Sequence, residues 1–308
     1  MIVKTADDKQ SQISIIENLL THPHSNASIK KRIEQEIRNI KAGIRGEDEA
    51  AYEMKVHFGE SKNWMIIHDL RIEHEDLVAQ IDHLLINRWL DAWVCESKHF
   101  SEGIAINEHG EFSAFFGNKP YGVPSPIVQN EKHILILKRI FDSGVLHLPK
   151  RLGFTIKPNL KSLVLVSKKA RISRPKAKVD GLDCIIKNDF LFKTIDTDID
   201  NNNSPMVMAK IVSQETLENF AREVVNLHSP FTPNWAKKFG LDTPIQEKQT
   251  NQKNTNNPIS KEEVEKPNKK LICFTCGEPI AYNVAKFCWF NKAKFGGNIF
   301  CMDCQKKI

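Results

Sequence analysis

Gln80-Ile81-Asp82-His83-Leu84-Leu85-Ile86-Asn87-Arg88-Trp89-Leu90-Asp91-Ala92-Trp93-Val94-Cys95-Glu96-Ser97-Lys98 decides how this chain is read. Two apolar runs, Leu84-Leu85-Ile86 and Ala92-Trp93-Val94, flank a polar segment from Asn87 to Asp91 that reads as a turn. Asp82 precedes the first run and Glu96 follows the second. Carboxylates embedded in strand-like apolar sequence are costly to bury unless a cation holds them. A turn centred on Trp89 puts Asp82 directly across from Glu96, and like charges facing each other across a ladder destabilise it. The pattern therefore predicts a site built for a cation. Strand alternation places Lys98 on the face of Glu96. Two carboxylates and a lysine on one sheet face can form a metal-dependent hydrolytic centre; they can also form a structural ion-pair network.

Outward from this hairpin the pattern alternates between helical and strand-like. Ile29, Ile33, Ile37 and Ile40 recur at near-helical spacing, which predicts an amphipathic helix or helix pair in the first forty residues. Gly43-Ile44-Arg45-Gly46 reads as a break, and a second helix is expected from Glu47 through Phe58 to Gly59. Strands are expected at Trp64 to Leu70, Leu77 to Ile86 and Ala92 to Lys98, then a Gly- and Pro-rich loop from Gly117 to Pro126. A helix follows over Ile127 to Phe141, strands over Leu163 to Ser167 and Gly181 to Ile186, and a last helix over Ser213 to Asn226. This order is that of an α/β core. The polar, repetitive stretch from Leu241 to Lys270 cannot bury a core and reads as a flexible linker.

The 308 residues suffice for roughly two domains. A net charge of +6 suits an anionic partner such as nucleic acid without demanding one. The N-terminus turns polar and acidic by Asp7-Asp8, unlike a signal peptide, and runs such as Leu163-Val164-Leu165-Val166 are too short to span a bilayer. Cytoplasmic residence without a membrane partner is the expectation.

The segment from Gly43 to about Phe141, continuing more weakly to about Ile195, resembles the nuclease-related domain, NERD. The residues that carry the resemblance stand in order: Gly46-Glu47 opening a helix, Ile67-His68-Asp69-Leu70 on a strand, Gln80-Ile81-Asp82-His83, Glu96-Ser97-Lys98, then Pro126 with Gln129 and His133 at a helix start. Ser97 and His99 depart from the small or polar residues of many relatives, and neither change removes a ligand. That family is grouped with the PD-(D/E)xK restriction-endonuclease-like fold, a mixed sheet flanked by helices whose members cut phosphodiester bonds with Mg²⁺. The resemblance implies Asp82 and Glu96 as ligands of Mg²⁺ (or Mn²⁺), with Glu47 joining them directly or through water. Lys98 would orient or activate the attacking water, and Gln129 would position phosphate or nucleophile. The domains implied are a helical segment 1–42, the nuclease-like domain 43–195, a helical extension 196–240, the linker 241–270 and a C-terminal module 271–308. The implied function is Mg²⁺-dependent hydrolysis of nucleic acid, DNA in the first instance. The alternative is a non-catalytic nucleic-acid-binding or adaptor protein that keeps the fold. Protein partners in DNA processing or defence are a third expectation.

Five of the seven cysteines fall after residue 270. Cys273-Phe274-Thr275-Cys276 and Cys301-Met302-Asp303-Cys304 are two C-x-x-C knuckles, the spacing of a structural Zn²⁺ site with four thiolates. Phe295-Gly296-Gly297-Asn298 reads as a turn and Ile299-Phe300 as a short strand, as in a zinc ribbon. Cys288 reads as packing beside Phe287, Trp289 and Phe290, although ligation is a second option. Cys95 and Cys184 read as core, His83 as packing or support behind the ligands on the face opposite Asp82, and His133 as a satisfied structural histidine, although it could approach the site from one turn beyond Gln129. The densest basic run, with Lys168, Lys169, Arg171, Arg174, Lys176 and Lys178, is a candidate DNA-backbone contact or a solvated loop. Asp196-Thr197-Asp198-Ile199-Asp200 lacks the glycine and the final glutamate of a calcium loop. No Walker A, dinucleotide, H-E-x-x-H or nucleophile-elbow motif is present.

Overall fold

At Asn87 the side chain makes the turn. Its Oδ1 accepts the N–H groups of Trp89 and Asp91, both at 3.0 Å, and Leu90 takes a left-handed φ of 60° to reverse the chain. The computed structural model describes residues 1–242, except 118, 152, 203, 205, 206 and 208, and residues 271–306. Two compact units divide the chain, Met1–Ile245 and Gln246–Ile308. Most of the stretch expected to be a linker lies outside the described residues.

The first unit is built on a six-stranded mixed sheet. Its strands are β1 (Ile2–Lys4), β2 (Trp64–His74), β3 (Leu77–Asn87), β4 (Asp91–Lys98), β10 (Asn159–Val166) and β12 (Ile185–Lys187), neighbours in that order. The meander β2–β3–β4 is antiparallel, and β1, β10 and β12 pair parallel to their neighbours. A second sheet joins β5 (Ile104–Ile106), β6 (Phe112–Phe116), β7 (Lys119–Val123) and β11 (Ile172–Ser173), in the order β11-β5-β6-β7. The short strands β8 (Lys150–Arg151) and β9 (Phe154–Thr155) form a separate hairpin.

Helices cover both faces of the large sheet. α2 (Ala27–Phe58) and α4 (Leu191–Asn201) pack Ala50, Met54, Phe58, Leu191 and Ile195 against Leu85, Trp93 and Cys95. α3 (Pro126–Ser143) and α5 (Gln214–Asn226) pack Ile136, Leu137, Leu217 and Phe220 against Leu84, Ile86 and Val94. Alternate residues of β3 and β4 thus feed two separate cores, as strand period two requires. The N-terminal half of α2 lies with α1 (Lys9–Asn18) and α6 (Trp235–Phe239) around Ile13, Ile16, Ile33 and Ile37.

Two expectations are corrected. The break at Gly43–Gly46 is absent, because α2 runs unbroken over 32 residues. Gly46 serves close approach instead: a Cβ there would meet His99 Cβ at 3.1 Å and His99 N at 3.2 Å. The loop expected from Gly117 contains β7, which β6 pairs along its whole length. The segment Asp196–Asp200 lies in α4, consistent with the rejected calcium loop.

The second unit folds around Cys273, Ile280, Ala285, Cys288, Phe295 and Phe300. Between the knuckles run α7 (Tyr282–Phe290) and α8 (Lys292–Phe295), and α9 (Met302–Gln305) starts inside the second knuckle. The expected ribbon strand at Ile299-Phe300 is not formed. Phe300 donates its N–H to Cys288 Sγ at 3.4 Å and accepts from Gln305 Nε2 at 2.8 Å, so its backbone groups are satisfied without a ladder. Cys288 is fully buried among these apolar residues and packs, as expected.

Candidate active site and metal centre

Register brings the acidic residues together. The β3–β4 pairs run from Ile86↔Ala92 to His83↔Cys95, so the turn is centred on Trp89 and the next position sets Asp82 against Glu96. There the ladder gives way to a side chain: Asp82 Oδ2 accepts the Ser97 N–H at 2.7 Å. On the other edge of β3, the pairing passes from His68↔His83 to Leu70↔Ile81, which sets Asp69 opposite Asp82. Asp69 is buried with a φ of 52°, a left-handed backbone that aspartate tolerates better than most residues. The pleat slips here. Met65 and Ile67 before it, and Leu70 and Ile72 after it, reach the same core, as do Ala79, Ile81, Leu84 and Ile86 across on β3. Alternation thus shifts by one at the Asp69/Asp82 position.

Glu96 is 2 % exposed. Its Oε1 accepts from Lys98 Nζ at 2.6 Å, and Lys98 Nζ donates again to Gln129 Oε1 at 3.1 Å. α3 delivers Gln129 because Ser125 caps it through the Val128 N–H and Pro126 opens its first turn. Glu96 Oε2 is buried without a hydrogen-bond partner among the described residues and lies 3.6 Å from His133 Nδ1, which is also unpartnered. His133 therefore does approach Glu96, the second of the two readings its sequence position allowed, and its Nδ1 is not satisfied. Glu47, on α2, is ion-paired to Lys9 of α1, and Lys9 Nζ is also 3.6 Å from Asp69 Oδ2.

The electrostatics describe a site short of positive charge. Burial first, then the Glu96 and Glu47 carboxylates, push Asp82 well above the usual carboxylate range. Burial also pushes Glu96 up, against the pull of Lys98. Glu47 rises through burial, against Lys9, with Asp69 and Asp48 adding to the rise. Burial works against the Lys9 ammonium, but Glu47, Asp69 and Asp82 outweigh it and hold its pKa up. Burial and then the Lys98 charge bring His133 down to about 4, so the imidazole is neutral at pH 7.

Lys9 and Asp69 were not assigned to the site from sequence. Asp69 carries a readable signal, an acidic residue inside an apolar strand. Lys9 carries none, since nothing local marks a lysine that reaches Glu47 from 38 residues away. His83 lies on the other face as expected, with Nδ1 2.8 Å from His68 Nδ1 and Nε2 3.0 Å from Ser97 Oγ. Cys95 is buried core, its thiol pushed up by burial.

With this geometry in place, one comparison is decisive: residues 42–167 match the family model described as nuclease-related domain. This stretch is similar to the nuclease-related domain, NERD. No match was found among curated proteins or among solved structures. The NERD-like segment contains Glu47, Asp69, Asp82, Glu96, Lys98, Gln129 and His133, whereas Lys9 comes from outside it. The segment starts within α2 and ends just after β10, so the contact between Lys9 and Glu47 joins it to its flank.

The basic run leaves the site directly. Val166 of β10 pairs with Lys98, and the run starts two residues later. Within it, Lys168 is ion-paired to Glu53 and Arg174 donates to the Ile185 carbonyl at 2.6 Å. Lys169, Arg171, Lys176 and Lys178 are exposed.

In the second unit the Sγ atoms of Cys273, Cys276, Cys301 and Cys304 all lie within 4.8 Å of one another, positioned to bind a metal ion. The Cys301 N–H donates to Cys273 Sγ at 3.2 Å. Burial opposes ionisation of Cys273, but the N–H groups of Cys301, Cys276 and Thr275 outweigh it and hold the thiol at about 6. Among the described residues this is the one group of three or more such donors found together. No helix among the described residues is long and apolar enough to cross a membrane.

Proposed function

We propose that the NERD-like segment hydrolyses phosphodiester bonds of nucleic acid with Mg²⁺ or Mn²⁺, in the manner of the PD-(D/E)xK nucleases, with DNA as the first substrate to test. The observation that carries this is the buried, unpartnered Oε2 of Glu96 beside Asp82 and Lys98. An orphaned carboxylate oxygen in a site deficient in positive charge is the donor that a hard cation completes. Asp82 and Glu96 would hold the ion, which supplies charge neutralisation and an acidified water. Glu47 would join them directly or through water, its Oε2 being engaged by Lys9.

The chain's residues supply the rest. Lys98 is held between Glu96 and Gln129, so its ammonium is fixed in direction and can orient the attacking water and balance charge on the phosphate. Gln129 accepts from Lys98 and its side chain also lowers the charge cost of Glu96, so it would position the lysine and the carboxylate against phosphate or nucleophile. Asp82, fixed by the Ser97 N–H, keeps one oxygen committed and one free. The exposed part of the basic run follows from the strand end beside Lys98, where a phosphate backbone would pass. The four thiolates of the second unit are a soft tetrahedral donor set suited to Zn²⁺. They leave no open position, so that ion would be structural and its module a clamp for substrate or a protein partner.

A cleavage assay on single- and double-stranded DNA and RNA, with Mg²⁺, Mn²⁺ or neither, tests the reading. Asp82→Ala and Lys98→Ala each abolish cleavage if the site is assigned correctly. Activity that survives both substitutions sinks the assignment. Binding without cleavage by the wild-type chain on every substrate establishes the adaptor instead.

A further inference from the structure

Residues 99–125 form a small excursion between Lys98 and Gln129, two side chains bonded to each other at 3.1 Å. Both ends of the excursion are thereby pinned at the site. It contributes β5, β6 and β7 to the second sheet, and the fourth strand, β11, lies inside the basic run. Gly103 makes the junction: its φ is 121°, and a Cβ there would run into the Arg171 carbonyl oxygen, so the position admits glycine alone. The Ile104 N–H donates to that same Arg171 carbonyl at 2.8 Å.

The hairpin of β6 and β7 is registered Phe112↔Val123, Ala114↔Tyr121 and Phe116↔Lys119, so these six residues share one face. At the root that face is core: Phe112 packs with Ile127, Val164 and Val166. Val164 and Val166 are the β10 partners of Glu96 and Lys98. At the tip the same face emerges into solvent, with Phe116 76 % and Tyr121 53 % exposed and Lys119 between them in register. The face that emerges at the aromatic tip is thus the one whose root packs on Val164 and Val166, the strand neighbours of Glu96 and Lys98.

Two large exposed rings on a strand pair are unfavourable in water and are not explained by packing within the domain. Their setting selects the occupant. Lys119 stands directly across from Phe116 at one edge of the sheet, and the exposed cations Lys169 and Arg171 flank β11 at the other edge. Rings interleaved with cations match a chain that offers flat π-faces and phosphates in alternation. A duplex hides its base faces in the stack and needs only the cations, so the rings fit unpaired bases.

We propose that this four-stranded sheet is a platform for single-stranded nucleic acid. Bases stack on Phe116 and Tyr121, while phosphates meet Lys119 and the basic run, and the strand leads to Lys98. The proposal rests on the nucleic-acid reading above and adds the substrate class to it.

Fluorescence anisotropy with the full chain tests it, using the Asp82→Asn variant in Mg²⁺ so that binding is read without cleavage. The probes are a labelled dT strand of about twenty nucleotides, a uridine strand of equal length, and a duplex of mixed sequence. Preference for either single strand over the duplex is expected, and the tighter strand identifies the sugar. Phe116→Ala with Tyr121→Ala should weaken single-strand binding roughly 10- to 100-fold and leave duplex binding within about twofold. Phe116→Trp should restore most of it. Since both rings are exposed, an unchanged melting temperature confirms that the variants fold. Equal affinity for strand and duplex, or a double variant that binds the strand as tightly as its parent, overturns the platform. If the wild-type chain still cuts nucleic acid in that case, the nuclease reading stands alone. A double variant that loses a protein partner while keeping its affinity for the strand overturns the platform as well.

Discussion

Lys9 and Glu47 form an ion pair between a helix outside the NERD-like segment and the helix in which that segment begins, and the same ammonium lies 3.6 Å from Asp69. The pair places a positive charge beside a cluster of carboxylates whose pKa values are raised. Removing one partner of a buried pair leaves the other uncompensated. Lys9→Met should therefore cost about 1–3 kcal/mol, less than for a fully buried pair because both side chains retain some exposure. Added Mn²⁺ should raise the melting temperature of the variant more than that of the wild type. Denaturant titration with and without Mn²⁺ checks this, and equal stability of the two proteins would show that the pair contributes nothing.

Asp82→Asn should separate stability from activity. Burial, Glu96 and Glu47 raise the pKa of Asp82, so its ionised form opposes folding at neutral pH. The sign follows directly: a raised carboxylate favours the fold at low pH and loses that favour as pH rises through the shifted value. The neutral isostere should raise the melting temperature at pH 8 by roughly 2–4 °C, the shift that about 1 kcal/mol gives in a domain of this size. Cleavage should fall by at least about 100-fold, the scale seen when one electrostatic stabiliser of a transition state is removed. A variant less stable than its parent at pH 8 contradicts this account of the cluster.

Two glycines of α2 should respond in opposite directions. Gly43 is exposed, and a Cβ there meets nothing closer than Glu47 Oε1 at 4.0 Å, so Gly43→Ala should stabilise by up to about 1 kcal/mol. Gly46→Ala presses on the backbone N of His99, the residue after Lys98, at 3.2 Å. It should destabilise by about 1 kcal/mol despite its better helix propensity and should lower cleavage by moving Lys98. Thermal melts and initial rates on the two variants decide it.

The histidine pair of β2 and β3 sets an acid limb. Burial, and then the Lys4 charge, bring His68 down to about 4. The unfolded chain protonates this imidazole near pH 6.5, so the contribution is intact above that value and is lost as pH falls from 6.5 towards 4. His68→Gln should flatten that limb by up to about 3 kcal/mol. Urea midpoints measured between pH 4 and 7.5 provide the check, and parallel curves for the two proteins would contradict it.

The second unit should depend on metal. Its core holds few apolar side chains beyond Ile280, Ala285, Phe295 and Phe300, too little to fold without help. One Zn²⁺ per chain is expected by elemental analysis. Strong chelation or Cys276→Ser should abolish the near-ultraviolet signal of Trp289 while the melt of the first unit stays in place. A chain that carries no stoichiometric zinc refutes the four-thiolate assignment.

Much of this was legible in the chain. The meander from Trp64 to Lys98 is written in short-range alternation, and a turn centred on Trp89 follows from counting residues between two apolar runs. The same count sets Asp82 opposite Glu96, and two C-x-x-C spacings place four thiolates near one another. Short-range pattern failed where a residue answers to a distant neighbour. Gly46 reads as a helix break but is small because His99 lies against it. His133 reads as structural until α3 is docked with its ring beside Glu96. The strands β6 and β7 are hidden among Gly and Pro, since their pairing comes from each other and from β5 rather than from a long apolar run.

The sequence by itself determined that Asp82 stands across from Glu96 and that Lys98 shares the face of Glu96, because pairing in a hairpin follows from counting residues about its turn and side chains two apart on β4 share a face. Only the tertiary structure decided what surrounds them. Lys9 on Glu47, Asp69 opposite Asp82 at a slipped pleat, and the unpartnered oxygen of Glu96 all arise from packing between segments far apart in the chain. The physical reason is one of range: backbone periodicity is local and repeats along the chain, whereas the charge around a buried carboxylate is summed over every element folded against it.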